Sequence, residues 1–155
     1  RAQGITPVVL GDTVTGEASE VAKVYAAMVR EIRAHAQPFR PPVALISGGE
    51  CTVTVRGNGR GGRCAEFLTS LAVELDGMPD VYAVAADNDG IDGTEDNAGA
   101  LLFPDSPARA AARGVRAAKM LANNDGYSYF EALGDLLVTG PTRTNVNDYR
   151  AILVL

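Results

Sequence analysis

Ser47 to Glu66 reads S-G-G-E-C-T-V-T-V-R-G-N-G-R-G-G-R-C-A-E. Cys51 to Arg56 alternates, with Val53 and Val55 on one face and Thr52, Thr54 and Arg56 on the other. That is the period of a half-buried strand. Gly57, Gly59, Gly61 and Gly62 follow, a backbone free to take positive φ or to approach a ligand closely. Phe67, Leu68, Leu71, Ala72 and Leu75 then recur at helical spacing, so a helix starts at the loop. A turn, a strand, a glycine loop and a helix start in this order predict an α/β domain. The first amides of such a helix lack partners and form its positive end, and Arg60 and Arg63 stand beside them. Together these features predict an anion site.

Outward from this stretch, the chain alternates strands and helices. Ile5 to Leu10 predicts a strand, pushed toward an edge by Pro7. Thr15 or Gly16 caps a helix whose apolar face is Val21, Tyr25, Met28, Val29 and Ile32. His35 ends it as a partner for the dipole. Gln37 to Pro42 carries three prolines and reads as a linker. Val43 to Ile46 predicts a short buried strand, and Ser47-Gly48-Gly49-Glu50 turns from it into Cys51 to Arg56, as in a hairpin. Val81 to Ala86 (V-Y-A-V-A-A) is an apolar run suited to an interior strand. Asp105 or Ser106 caps one alanine-rich helix from Ala108 to Leu121, with Pro107 in its first turn. Ser128 opens a short helix to Leu133 that Gly134 stops. Leu136 to Thr139 and Arg150 to Leu155 are strands, the last closing the sheet. The expected architecture is one three-layer α/β/α domain with a mixed central sheet.

Composition excludes several classes. With 155 residues and 46% hydrophobic content the chain can bury a substantial single core. Net charge is -5 and the only dense basic cluster is Arg56, Arg60 and Arg63, which argues against a nucleic-acid binder. Tryptophan is absent and aromatic residues make up 6%, so no base-stacking surface is expected. No apolar run reaches the roughly 18 residues of a membrane span. No signal peptide is visible. Cys51 and Cys64 form no C-x-x-C pair and read as reduced thiols of a cytoplasmic protein. The chain opens on Arg1 and enters a strand-like run almost at once, which suggests a fragment whose N-terminal part is missing.

Two further loops carry chemistry. The strand Val81 to Ala86 runs into D-N-D-G-I-D-G, which places Asp87, Asp89 and Asp92 just past a strand end, the usual location of an α/β active site. The spacing lacks the ligand pattern of an EF-hand. Magnesium held partly by carboxylates and partly by a phosphate fits better. Gly140 to Asp148, G-P-T-R-T-N-V-N-D, is a polar loop rich in donors. Gly57, Gly59 and Gly62 also satisfy G-x-G-x-x-G literally, which points to an NAD(P)-dependent oxidoreductase. Against this, the preceding strand alternates, no second strand ends in an acid about 20 residues on, and two arginines exceed what a pyrophosphate needs. The only lysines, Lys23 and Lys119, lie in helices, so there is no P-loop, and a single histidine supports no hydrolase triad. An arginine-glycine loop, an acidic loop and a Thr/Asn loop are the parts that phosphoryl transfer uses.

Those three stretches, S-G-G-E-C-T-V-T-V-R-G-N-G-R-G-G-R, D-N-D-G-I-D-G-T-E-D-N-A-G-A and G-D-L-L-V-T-G-P-T-R-T-N-V-N-D, resemble the C-terminal MOFRL domain of class II glycerate kinases. The resemblance runs from Gly11 to the end, and the family includes bacterial proteins named as hydroxypyruvate reductases of tartrate utilisation. It implies ATP-dependent phosphorylation of D-glycerate to 2-phosphoglycerate with magnesium. It also implies a two-domain enzyme with its active site in a cleft against a larger Rossmann-like N-terminal domain, absent here together with a phosphate-binding lysine. Carried over, Arg63, Arg60 and Asp89 are the catalytic candidates. Ser47, Gly48, Gly49, Glu50, Gly57, Gly59, Gly61, Gly62, Glu66, Thr144, Asn145, Asn147 and Asp148 would bind substrate or phosphate, and Asp87, Asp89 and Asp92 the metal. Cys64-Ala65 departs from the Asn-Gln of many relatives, which opens the question of specificity. The alternatives are an NADH- or NADPH-dependent hydroxypyruvate reductase, or, for the isolated half, a non-catalytic binding or dimerisation module that pairs with a second copy.

Overall fold

A computed structural model describes residues 4–155. In chain order the elements are β1 (Thr6–Gly11), β2 (Gly16–Glu17), α1 (Ala18–His35), β3 (Val43–Gly49), β4 (Cys51–Thr52), α2 (Arg63–Leu75), β5 (Val81–Asp87), β6 (Gly99–Leu102), α3 (Ser106–Ala112), α4 (Ala117–Ala122), α5 (Gly126–Leu133), β7 (Leu136–Leu137) and β8 (Asp148–Val154). Six strands form one sheet in the order β1-β3-β8-β5-β6-β7. The β1–β3 pair is parallel and the other pairs are antiparallel. The mixed sheet of the expected α/β class is therefore present.

Alternation along β3, β5 and β8 sorts their side chains between two faces. Val43, Leu45, Val81, Ala83, Ala85, Ile152 and Val154 are buried in one core with α1 and α2. Ala44, Ile46, Val84, Ala151 and Leu153 point the other way and stay partly exposed. Helix α2 packs on α1, β5, β6, α4 and α5. It is buried at every position from Cys64 to Ala72, the pattern of a helix enclosed by its neighbours rather than lying on the surface.

The structure corrects the local reading at four places. Only Cys51–Thr52 of the Cys51 to Arg56 run is strand, and it pairs in parallel with β2, so there is no hairpin through Ser47 to Glu50. The alternation has a different cause: Val53 packs against the core, whereas Val55 is 72% exposed. The Thr54 amide and hydroxyl donate to Glu17, at 2.8 and 3.0 Å, side-chain bonds that replace a ladder. The helix expected from Ala108 to Leu121 is two helices, α3 and α4, because Gly114 takes φ +72° between them. Strand β6 is not signalled in the sequence, since four residues of G-A-L-L carry no period. Finally, β8 closes nothing at an edge. It begins at Asp148 and lies between β3 and β5. In its register Asp148 stands opposite Gly49 on one side and Asp87 on the other. That register assembles the site.

Candidate active site

At this end of the sheet Arg63, the first residue of α2, spans the two strands. Its Nη2 donates to Asp87 Oδ2 at 2.6 Å and its Nε to Asp148 Oδ1 at 2.8 Å. Its Nη1 lies 3.8 Å from Glu50 Oε1. The second oxygen of Asp148 accepts from Arg150 Nη2 at 2.7 Å. Two arginines thus alternate with two carboxylates. Burial works against the Arg63 charge, and the Asp148 and Asp87 carboxylates outweigh it, so the guanidinium pKa is raised. Burial raises Asp87, opposed by the Asp89 amide and Arg63.

The start of α2 is not an open anion site. Cys64 N donates to Asp92 Oδ1 at 2.9 Å and Ala65 N to Asp92 Oδ2 at 2.8 Å. A buried carboxylate needs donors, and the positive end of a helix supplies them. Burial nevertheless pushes Asp92 up to about 6, with the two amides pulling it down. Gly62 leaves room for this contact, since a Cβ there would sit 2.3 Å from Asp92 Oδ1.

The glycine loop is also committed internally. Arg56 N and Gly57 N donate to Asn124 Oδ1 at 2.7 and 3.0 Å. Asn58 N donates to Asn123 Oδ1 at 3.2 Å, Gly59 N to the Asn123 carbonyl at 3.0 Å and Arg60 N to Asp125 Oδ1 at 2.9 Å. A Cβ on Gly57 would meet Asn123 O at 2.4 Å, and one on Gly59 would meet Asp125 Cβ at 2.4 Å. These glycines admit a neighbouring piece of the protein. Asn123, Asn124, Asp125 and Arg150 are the residues that sequence reasoning missed. Three consecutive short acceptors after a helix read as its end, yet side chains of this kind are suited to collecting backbone amides.

The remaining candidates divide between places. Arg60 donates twice to Glu95 Oε2, at 3.1 and 2.7 Å, and stacks over Tyr127 at 4.1 Å, a separate cluster from that of Arg63. Glu66 is buried, accepts from Asn124 Nδ2 at 3.0 Å and lines a groove with Glu17, Thr54 and Arg56. Burial is the first cause that raises it to about 7. Ser47 accepts from the Tyr25 hydroxyl at 2.7 Å on the helix side. Gly48 and Gly49 turn their carbonyls to Arg150. Gly49 takes φ +113° and abuts Val14, so only glycine fits there. Gly61 takes φ +135° where the loop enters α2.

The polar loop is fastened to the acidic one. Thr142 N donates to the Asp89 carbonyl at 2.9 Å, and Asn88 donates through N and Nδ2 to the Asn147 carbonyl at 3.2 and 2.7 Å. Thr144, Asn145 and Asn147 are exposed on it. The three aspartates expected to share a metal are not brought together: Asp87 faces Arg63, Asp92 faces α2, and Asp89 Oδ1 accepts from Ile91 N at 2.8 Å. Among the described residues no group of three or more His, Cys, Asp or Glu side chains is arranged to hold a metal ion. Both cysteines are free and buried. Among the described residues no helix is long and apolar enough to cross a membrane.

Comparison with known proteins agrees with the three motifs. The MOFRL family matches residues 43–148. A protein of Agrobacterium vitis, provisionally named hydroxypyruvate reductase, is 48% identical over 155 residues, which is 99% of this chain and 40% of that protein. The D-glycerate 2-kinase of Thermotoga maritima is 37% identical over 148 residues, 96% of this chain and 36% of that one. A crystal structure of the glycerate kinase from Thermotoga maritima superposes with a TM-score of 0.95 at 36% identity, covering 99% of this chain and 37% of the other. The chain spans no more than 40% of the length of these relatives. The matched region runs from the start of β3 to Asp148 and contains Glu50, Arg63, Asp87 and Asp148, and on that match the chain belongs to the MOFRL family.

Proposed function

We propose that this chain is the C-terminal half of a two-domain cytoplasmic enzyme that phosphorylates D-glycerate with ATP to give 2-phosphoglycerate. The observation that carries the reading is the setting of Arg63. Its Nε and Nη2 are fixed by Asp148 and Asp87, while among the described residues Nη1 has only Glu50 at 3.8 Å, and the side chain is 23% exposed. A guanidinium oriented in advance, with one edge left toward solvent, can stabilise charge on a transferred phosphoryl group without reorganising. Thr144, Asn145 and Asn147, on the loop fastened beside Asp89, would orient the glycerate hydroxyl and carboxylate.

Magnesium fits this chain only as a partly protein-held ion. Asp92 is taken up by the Cys64 and Ala65 amides and Asp87 and Asp148 by Arg63, which leaves Asp89 and Glu50 as the site carboxylates outside those contacts. One or two carboxylates, with substrate phosphates and water, are what magnesium commonly uses. When bound it would offset phosphate charge. The N-terminal domain would supply the other wall of the cleft.

The reductase name of the Agrobacterium vitis relative favours the second reading, reduction of hydroxypyruvate. Laying a dinucleotide along Gly57 to Gly62 would require displacing Asp92 from α2 and the Asn123 to Asp125 segment from the loop, which counts against it. The test is to incubate the full-length enzyme with D-glycerate and MgATP and follow phosphorus by NMR. A 2-phosphoglycerate resonance is expected. Folded enzyme that moves no phosphate but oxidises NADH with hydroxypyruvate would establish the second reading instead.

A further inference from the structure

We infer that Arg150 is a positioning residue for the phosphoryl transfer proposed above, acting through Asp148 on Arg63; the inference rests on that reading. Arg150 lies on β8 and is 1% exposed. Its Nη2 donates to Asp148 Oδ2 at 2.7 Å, while the other oxygen of that carboxylate accepts from Arg63 Nε at 2.8 Å. Its other hydrogen bonds go to the end of β3 and the start of β4: Nη1 to the Gly48 carbonyl at 3.3 Å, Nη2 to the Gly49 carbonyl at 3.5 Å and to Cys51 Sγ at 3.2 Å. The guanidinium carbon stands 5.5 Å from the centre of the Phe67 ring. One buried side chain therefore joins the end of β3, the start of β8 and, through Asp148, the first residue of α2.

Stability does not explain an arginine at this position. The next inward-facing residues of β8, Ile152 and Val154, are buried aliphatics, and a buried ion pair is commonly no more stabilising than well-packed apolar residues. Arg150 Nε even lacks a hydrogen-bond partner among the described residues. What the arginine supplies is direction. Held between two guanidinium groups, Asp148 has one orientation, and Asp148 in turn sets the plane of Arg63. A lysine would keep the charge but could not reach the carboxylate and both carbonyls together, because it lacks the planar fork.

The test is a double-mutant cycle in the full-length enzyme, with Arg150→Lys, Arg63→Ala and the pair. The wild type is assayed first with D-glycerate and MgATP, then with NADH and hydroxypyruvate. That step alone judges the reading above, and the variants are compared in whichever reaction the wild type catalyses. Arg150→Lys is expected to lower kcat about 10- to 100-fold, the cost of a small misplacement of a reacting group, with KM for the three-carbon substrate changed less than about twofold. The pair is expected to be no slower than Arg63→Ala alone, since a residue acting through Arg63 has nothing left to position. If Arg150→Lys does not fold, Arg150→Met replaces it in the same cycle. A full Arg150 effect surviving on the Arg63→Ala background overturns the inference. So does a folded Arg150 variant with kcat within about twofold of wild type.

Discussion

Asp92 accepts the Ala65 amide at 2.8 Å, and with it the Cys64 amide, at the spot where a glycine loop running into a helix leads one to expect a bound phosphate. The chain supplies its own anion there. Asp92 is therefore a capping residue of α2, and Asp92→Ala should lower the stability of the chain by about 2 kcal/mol, the range for losing a helix cap and charge-assisted hydrogen bonds. Asp92→Asn, which keeps a carbonyl acceptor, should cost less. Urea unfolding of the two variants checks the order. A metal-binding role alone would leave metal-free stability close to wild type.

The same logic separates the two readings of the glycines. If Gly57 and Gly62 face a cofactor, alanine there spoils binding and spares the fold. The structure puts Asn123 O at 2.4 Å and Asp92 Oδ1 at 2.3 Å from the added Cβ atoms. Gly57→Ala and Gly62→Ala should thus each destabilise by about 1–3 kcal/mol, the usual cost of overpacking. Thermal unfolding without any ligand is the measurement.

Much of this was legible before the structure. Strong local periods mark α1, α2, β3 and β5, and the three polar motifs stand out in the sequence alone. What sequence could not show was which groups answer each other across long separations. Asp92 and Cys64 are 28 residues apart, and Asn124 and Gly57 are 67 apart. Each half of such a pair looks like a free donor or a free acceptor until the fold closes. Hence the glycine loop read as a cradle and the acidic loop as a metal site. Arg150 is hidden for a related reason: in R-A-I-L-V-L it reads as the charged first residue of a strand, whereas β8 begins two residues earlier and buries it.

Glu66 makes stability depend on pH. Burial raises its carboxyl to about 7, with the Asn124 amide opposing and Glu17 adding. The unfolded carboxyl titrates near 4.3. Between those values the folded chain holds a proton that the unfolded chain has lost, so this contribution is complete below about pH 4.3 and disappears as pH rises through 7. Asp92, raised to about 6, acts in the same direction. Glu66→Gln cannot ionise and should be more stable than wild type by about 1 kcal/mol at pH 8, with the difference closing toward pH 4. Unfolding of both proteins across that range checks it. A constant difference would mean that Glu66 does not titrate there.

In the proposed reaction Arg63, clamped by Asp87 and Asp148, meets the transferred phosphoryl group. The most direct measurement is the turnover of D-glycerate and MgATP by full-length Arg63→Ala against wild type. A fall in kcat of about 10²- to 10³-fold, roughly 2.7–4 kcal/mol of transition-state stabilisation, is expected in enzyme that remains folded. Turnover close to wild type would contradict it and remove Arg63 from the reaction.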